Sequence, residues 1–122
     1  RARSTRSGHH YTPAKTRNFE ALVSLAAAEA MQGRAPATVP IHLTLRMDFP
    51  IPPSWSKKKQ QLARDGVKRP TKKPDCSNIL KAIEDACNGV VYVDDVQIVS
   101  GTFQKHYAER PGVLVGLEEM VP

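Results

Sequence analysis

From Pro40 to Pro50 the chain alternates without a break: Ile41, Leu43, Leu45, Met47 and Phe49 are apolar, and His42, Thr44, Arg46 and Asp48 between them are polar. A period of two sends every apolar side chain to one face of an extended segment and every polar one to the other, so this stretch reads as a half-buried strand. Pro50, Pro52 and Pro53 end it, because proline has no N–H to give to a sheet ladder.

On either side of this strand the period changes. Thr12-Pro13 is a helix start, with threonine as N-cap and proline at the first helical position. Phe19, Leu22, Val23, Ala26 and Ala30 follow at helical spacing and Gly33 stops them, which predicts a helix from about 13 to 32 packed by that face. Ser54 is placed to cap a short basic helix over 55–64, and Gly66 to Pro74 reads as an exposed loop. Ile79, Ile83 and Ala86, with Leu80 and Cys87, form the buried side of a helix over 76–87 that Asn88-Gly89 closes. Val90–Val93 reads as a short strand, Val96–Tyr107 as a longer one and Val113–Leu117 as the last. The turn Arg110-Pro111-Gly112 makes the end of the sheet a meander or hairpin. Helices and strands alternate irregularly. The expected fold is therefore α+β, a two-layer sandwich with helices packed on a small mixed sheet.

A chain of 122 residues suits one domain over 1–122 and leaves no room for a separate cofactor fold. It opens on Arg1 in a basic stretch without an initiator Met, which leads us to expect further residues upstream, a first strand among them. No apolar run reaches the ~18 residues of a membrane span and no signal-peptide pattern is present, so the expectation is a cytoplasmic domain with no membrane partner. Cys76 and Cys87 lie on one helix, roughly 16 Å apart, beyond disulfide reach and without zinc-ligand spacing, so they are read as core thiols.

The chain has 18 Lys+Arg and 12 Asp+Glu, a formal charge of +6 that hides a sharper division. Residues 1–19 and 55–74 hold thirteen of the basic side chains against Asp65 alone, while the remainder carries five basic and eleven acidic ones. Charges this dense repel one another, and a polyanion that releases its counterions onto them removes that cost. Tyr11 beside His9 and His10, and Trp55 just before Lys57, Lys58 and Lys59, interleave groups able to stack on bases. A solvated loop is the plain reading of either run alone. Two such runs on an acidic body favour a nucleic-acid partner, with Lys57, Lys58, Lys59, Lys68, Arg69, Lys72 and Lys73 as its contacts.

Asp75 opens the 76–87 helix, Asn78, Lys81 and Asp85 follow on its polar side, and Asp94-Asp95 stand after the Val90–Val93 segment. If that segment runs back alongside the helix, Asp95 returns toward the helix start and two carboxylates meet beside a basic surface. Oxygen ligands of this kind suit Mg²⁺ or Mn²⁺. Asp75 is also a plain N-cap, Asp94-Asp95 a plain turn, and Lys81 a plain i, i+4 partner of Asp85.

The run Lys73-Pro74-Asp75-Cys76-Ser77-Asn78-Ile79-Leu80-Lys81-Ala82-Ile83-Glu84-Asp85-Ala86, then Asn88-Gly89-Val90-Val91-Tyr92-Val93-Asp94-Asp95-Val96-Gln97, resembles the signature of RusA-type Holliday junction resolvases. That signature has the form Pro-Asp-x-Asp-Asn-x-x-Lys-x-x-x-Asp-Ala, then Asn-Gly and a short apolar strand ending in Asp-Asp-x-Gln. Tyr11-Thr12-Pro13 and Ser54-Trp55-Ser56-Lys57-Lys58 also resemble family members from phage and prophage genomes. The resemblance implies a bacterial or phage-encoded homodimer, Mg²⁺-dependent and without an organic cofactor, that resolves four-way DNA junctions by paired symmetric nicks. It implies Asp75 and Asp95 as metal-binding catalytic acids, Lys81 as the catalytic lysine, Asp94 as the first acid of its pair, and Asn78 and Asp85 as supporting motif positions. On the same resemblance Asp94 supports the metal, and Ser77 stands where the signature has an aspartate, so one negative charge is missing and Ser77 offers the metal only a weak or water-mediated oxygen. A rival reading keeps the charge layout and drops the chemistry: a non-catalytic, structure-selective DNA-binding module with a degraded metal site.

Overall fold

The computed structural model describes residues 13–120, with side chains from residue 18 onward. The expected Thr12 cap and the basic side chains of 1–17 lie outside the described residues. The elements are α1 (Pro13–Met31), β1 (Ile41–Pro50), α2 (Lys57–Arg64), α3 (Cys76–Cys87), β2 (Ile98–Ala108) and β3 (Gly112–Glu119), with one 3-10 turn at Asp95–Gln97 ahead of β2. The fold is α+β: helices on a small mixed sheet in two layers.

The alternating strand is the centre of that sheet. The order is β2-β1-β3, with β1 parallel to β2 and antiparallel to β3. Ile41, Leu43, Leu45, Met47 and Phe49 are buried to a residue, while Thr44 and Arg46 on the opposite face remain exposed. Ile79, Ala82, Ile83 and Ala86 of α3 and Phe19 and Val23 of α1 cover the apolar face. Each large side chain buried there contributes about 1.5–3 kcal/mol, and the single-sided pattern explains why helices occupy one face only.

Three expectations are corrected. The last two strands do not form a hairpin: β2 and β3 flank β1, and residues 109–111 carry the chain around its end. Strands two apart in a sheet are separated by about 10 Å, which three linking residues span in extended form. β1 has the most complete apolar face and takes the position with two neighbours. Val90–Val93 is not a strand but a turn, with only the isolated bridges Ala37↔Tyr92 and Asn88↔Tyr92. Both edges of β1 are already occupied, so this apolar run instead tucks the Tyr92 ring fully into the core, its hydroxyl donating to the Glu84 carbonyl at 2.9 Å. The α2 cap is Ser56 rather than Ser54, accepting from the Lys59 amide at 3.2 Å.

The α1 face is also narrower than its spacing implied. Leu22 and Ala30 are exposed, and an open groove of about 280 Å³ runs between Val23, Ala27 and Met31 of α1 and Val113, Val115 and Leu117 of β3. Cys87 is buried and Cys76 half-buried, both free, and burial pushes the Cys87 thiol up to about 11. Among the described residues no helix is long and apolar enough to cross a membrane.

Candidate functional site

Helix α3 runs antiparallel to β1, and its two ends define two chemically different places. At its start, Cys76 Sγ lies 4.0 Å from Met47 Sδ near the end of β1, and Lys105 Nζ donates to the Lys72 carbonyl at 2.6 Å. At its finish, the 88–97 segment is tied to the residues that lead into β1: Gln97 Nε2 donates to the carbonyls of Ala37 and Val39 at 2.9 and 3.0 Å.

The first place is basic and aromatic. Pro52 and Pro53 turn the chain out of β1, and Ser56 starts α2, so Trp55 is held between a fixed strand end and a capped helix. Gln60 Nε2 donates to the Trp55 carbonyl at 2.9 Å. The indole meets Tyr107 edge to face at 5.1 Å, with Lys59 Nζ over the ring at 4.3 Å and Lys68 Nζ at 5.3 Å. Arg69 reaches across to β2, donating to the Lys105 carbonyl at 3.0 Å. Lys57, Lys58, Arg69, Lys72 and Lys73 are exposed around this rim, and Lys59 and Lys68 are half-buried against the indole. The first turn of α2 holds three lysines and no acid, opposing the helix dipole at a cost of about 0.3–1 kcal/mol each that a bound anion relieves. Lys105, His106 and Tyr107 join the rim from β2, and sequence reading missed them because they sit inside an apparently ordinary strand. The parallel register, Met47↔Lys105 and Phe49↔Tyr107, is what delivers them. His106 is shifted to a lower pKa by burial and by the charges of Arg46 and Arg69, with Asp48 opposing.

The second place is acidic. Lys81 Nζ bonds Asp85 at 2.9 Å, and that hydrogen bond, then the Asp85 charge, raises the Lys81 pKa, with Asp95 and Glu84 adding to it. Asp95 lies 3.4 Å from the Asn88 side-chain nitrogen that closes α3. Glu84 is raised first by burial and then by the Asp95 charge, with Lys81 opposing. Asp94 is spent on structure, capping the 3-10 turn through the Val96 amide at 3.1 Å. Gln97, the last motif residue, has a role that spacing did not reveal. Its Oε1 accepts from the amides of Val93 and Asp94 at 3.0 and 2.9 Å while its amide nitrogen holds Ala37 and Val39. One side chain thereby ties the Asp94-Asp95 loop to the entry of β1.

The structure thus brings Lys81, Asp85, Asn88 and Asp95 together and leaves Asp75, Ser77 and Asn78 at the other end of α3. Asp75 stands exposed at the N-cap without making a side-chain cap bond. From Asp75 to Asn88 is thirteen residues of helix, about 20 Å. Asp95 therefore does not return to the helix start, because the segment after Gly89 is a turn anchored at β1's beginning. Among the described residues no group of three or more His, Cys, Asp or Glu side chains is placed to hold a metal ion. Within one chain, Asp75 and Asp95 do not fit a single shared ion.

The signature on α3 and its following loop, set on this single-sided mixed sheet, defines an endodeoxyribonuclease family: the RusA endodeoxyribonuclease family model matches residues 1–118, and the chain belongs to that family. Among curated proteins it is similar to the uncharacterized protein YqaN of Bacillus subtilis (strain 168), 37% identical over 124 residues that cover 96% of this chain and 84% of that protein. No solved structure matches it.

Proposed function

We propose that this chain is a structure-selective endonuclease that cuts four-way DNA junctions by paired symmetric nicks, acting as a homodimer with Mg²⁺, or Mn²⁺ in its place. Family membership supports the phosphodiester chemistry, and the observation that carries the reading is the position of Asp75. Its exposed carboxylate opens α3 directly after Lys72 and Lys73, whose backbone Lys105 of β2 holds through the Lys72 carbonyl, at the end of the basic rim that would hold DNA. The roles proposed are Asp75 and Asp95 as the essential acids, Lys81 as the cation that stabilises developing charge, and Asp94, Ser77, Asn78 and Asp85 as their support. Since one chain keeps Asp75 and Asp95 apart, a second copy is where the two carboxylates would meet. A two-fold dimer also places two equivalent sites on a two-fold junction.

The test is cleavage of a labelled synthetic four-way junction with Mg²⁺, Mn²⁺ or EDTA, beside Asp75→Asn and Asp95→Asn. Metal-dependent paired nicks near the branch point, lost in both variants, are expected. Ser77 in the aspartate position favours the second reading, a binding module without catalysis. Tight junction binding with no cleavage in either metal would establish it, and cleavage regained by Ser77→Asp would locate the cause in one missing carboxylate.

A further inference from the structure

We propose that Trp55 is a stacking platform for an unpaired DNA base, and that Lys59 and Lys68 leave its ring for the flanking phosphates when DNA binds. The inference deepens the nuclease reading and rests on it for the partner's class: DNA whose bases are unstacked, as at a branch or in a single strand, rather than a plain duplex.

The surroundings of the ring carry the argument. Trp55 is the one tryptophan of the chain and lies outside the buried core cluster. A tryptophan kept for packing buries its faces against apolar groups. This one meets Tyr107 in a T-shaped contact with the ring planes 71° apart and is anchored by the Gln60 bond to its own carbonyl, while two ammonium groups sit over the ring. The ion pairs of the described residues are Arg46–Asp48, Arg64–Glu109 and Lys81–Asp85, so neither Lys59 nor Lys68 has a carboxylate partner there. Both cations rest on the ring quadrupole alone, a weak hold at a half-exposed site, and they repel each other. A DNA strand exchanges these two contacts for better ones: each ammonium gains a phosphate, and the vacated ring gains a base face. The ring needs no rearrangement, because Tyr107, Gln60 and the Ser56-capped helix already fix it.

Because Trp55 is the only tryptophan, the intact chain reports on this contact directly. Its emission is followed in EDTA, where no cleavage occurs, against a short oligothymidylate, the same strand made abasic, a blunt duplex and an immobile four-way junction. Strong quenching by the oligothymidylate and the junction is expected, with the abasic strand and the duplex binding without it. Trp55→Ala should weaken single-strand binding about ten-fold and duplex binding less than two-fold, with Trp55→Phe in between. Lys59→Ala and Lys68→Ala should each lower the salt dependence of single-strand binding by about 0.7 in log–log slope. Equal quenching by the abasic strand, or the same loss for every DNA in Trp55→Ala, overturns the proposal. Quenching without nuclease activity in any metal would keep this platform and sink the nuclease. Junction cleavage by a chain whose emission no DNA alters would do the reverse.

Discussion

Gln97 is the residue whose replacement tests most of this structure at once. Its side chain makes four hydrogen bonds, accepting from Val93 and Asp94 and donating to Ala37 and Val39. The Val93 amide also bonds the Ala37 carbonyl at 3.2 Å, so that pair retains a partner when Gln97 goes. The net loss in Gln97→Leu is therefore closer to two or three bonds than four, about 2–3 kcal/mol at ~1 kcal/mol each. For a chain of this size that is roughly a 10 °C fall in Tm. Gln97→Glu separates this account from a general packing defect. Its carboxylate still accepts from both amides but turns a negative oxygen toward two carbonyls, so the folded state raises that carboxyl's pKa. The penalty is absent below the ordinary glutamate value near ~4.3 and grows as pH rises through the folded value. Urea denaturation should therefore show Gln97→Glu close to wild type at about pH 4 and well below it at pH 7, while the Gln97→Leu deficit holds at both. A Gln97→Leu change under ~0.5 kcal/mol, or a Gln97→Glu deficit that ignores pH, refutes the clamp.

Two further expectations concern stability. Glu84 is raised by burial and by the Asp95 charge, so its ionised form costs the folded state stability above that shifted pKa and nothing below the unfolded value. Glu84→Gln should raise Tm at pH 7–8 and leave it unchanged at about pH 4, measured by thermal melts across that range. Gly101 lies so close to β1 that a Cβ there would stand 2.9 Å from the Leu43 carbonyl oxygen, a backbone atom that cannot yield. Gly101→Ala should cost about 1–3 kcal/mol by chemical denaturation. Gly116→Ala, whose Cβ meets Thr44 at an ordinary 3.6 Å, should fall within about 0.5 kcal/mol of wild type.

What could be read in advance followed from strong local periodicity. β1 and α3 carry unbroken periods of 2 and 3.6, and the α3 bounds in the structure, Cys76–Cys87, are those the pattern predicts. Val90–Val93 failed because four apolar residues fit a strand locally, whereas whether they become one depends on an open sheet edge, and β2 and β3 take both. The order of those two strands likewise depends on which strand most needs two neighbours. At the candidate site, the sequence names the residues of the signature but not the distances between them. Asp75 and Asp95 lie in one signature, yet the turn after Gly89 anchors Asp95 to the wrong end of α3 for the expected pairing. Lys105 and Tyr107 reach the basic rim only through a register that no local pattern encodes.

The place of β1 between its two neighbours also has a consequence in time. Ile41 pairs with Ile98 on one side and Glu119 on the other, so the central strand is synthesised well before either edge exists. At ~5–20 residues per second, the 57-residue interval to Ile98 lasts about 3–11 s on the ribosome. Through that interval five alternating apolar side chains have only α1, and then α3, to shelter them. A chain interrupted after α3 would release an unpaired β strand with both ladders open, the species most prone to join another copy of itself. Arg46 and Asp48, facing away from the core, are then the charges that keep the nascent strand from stacking on its neighbours.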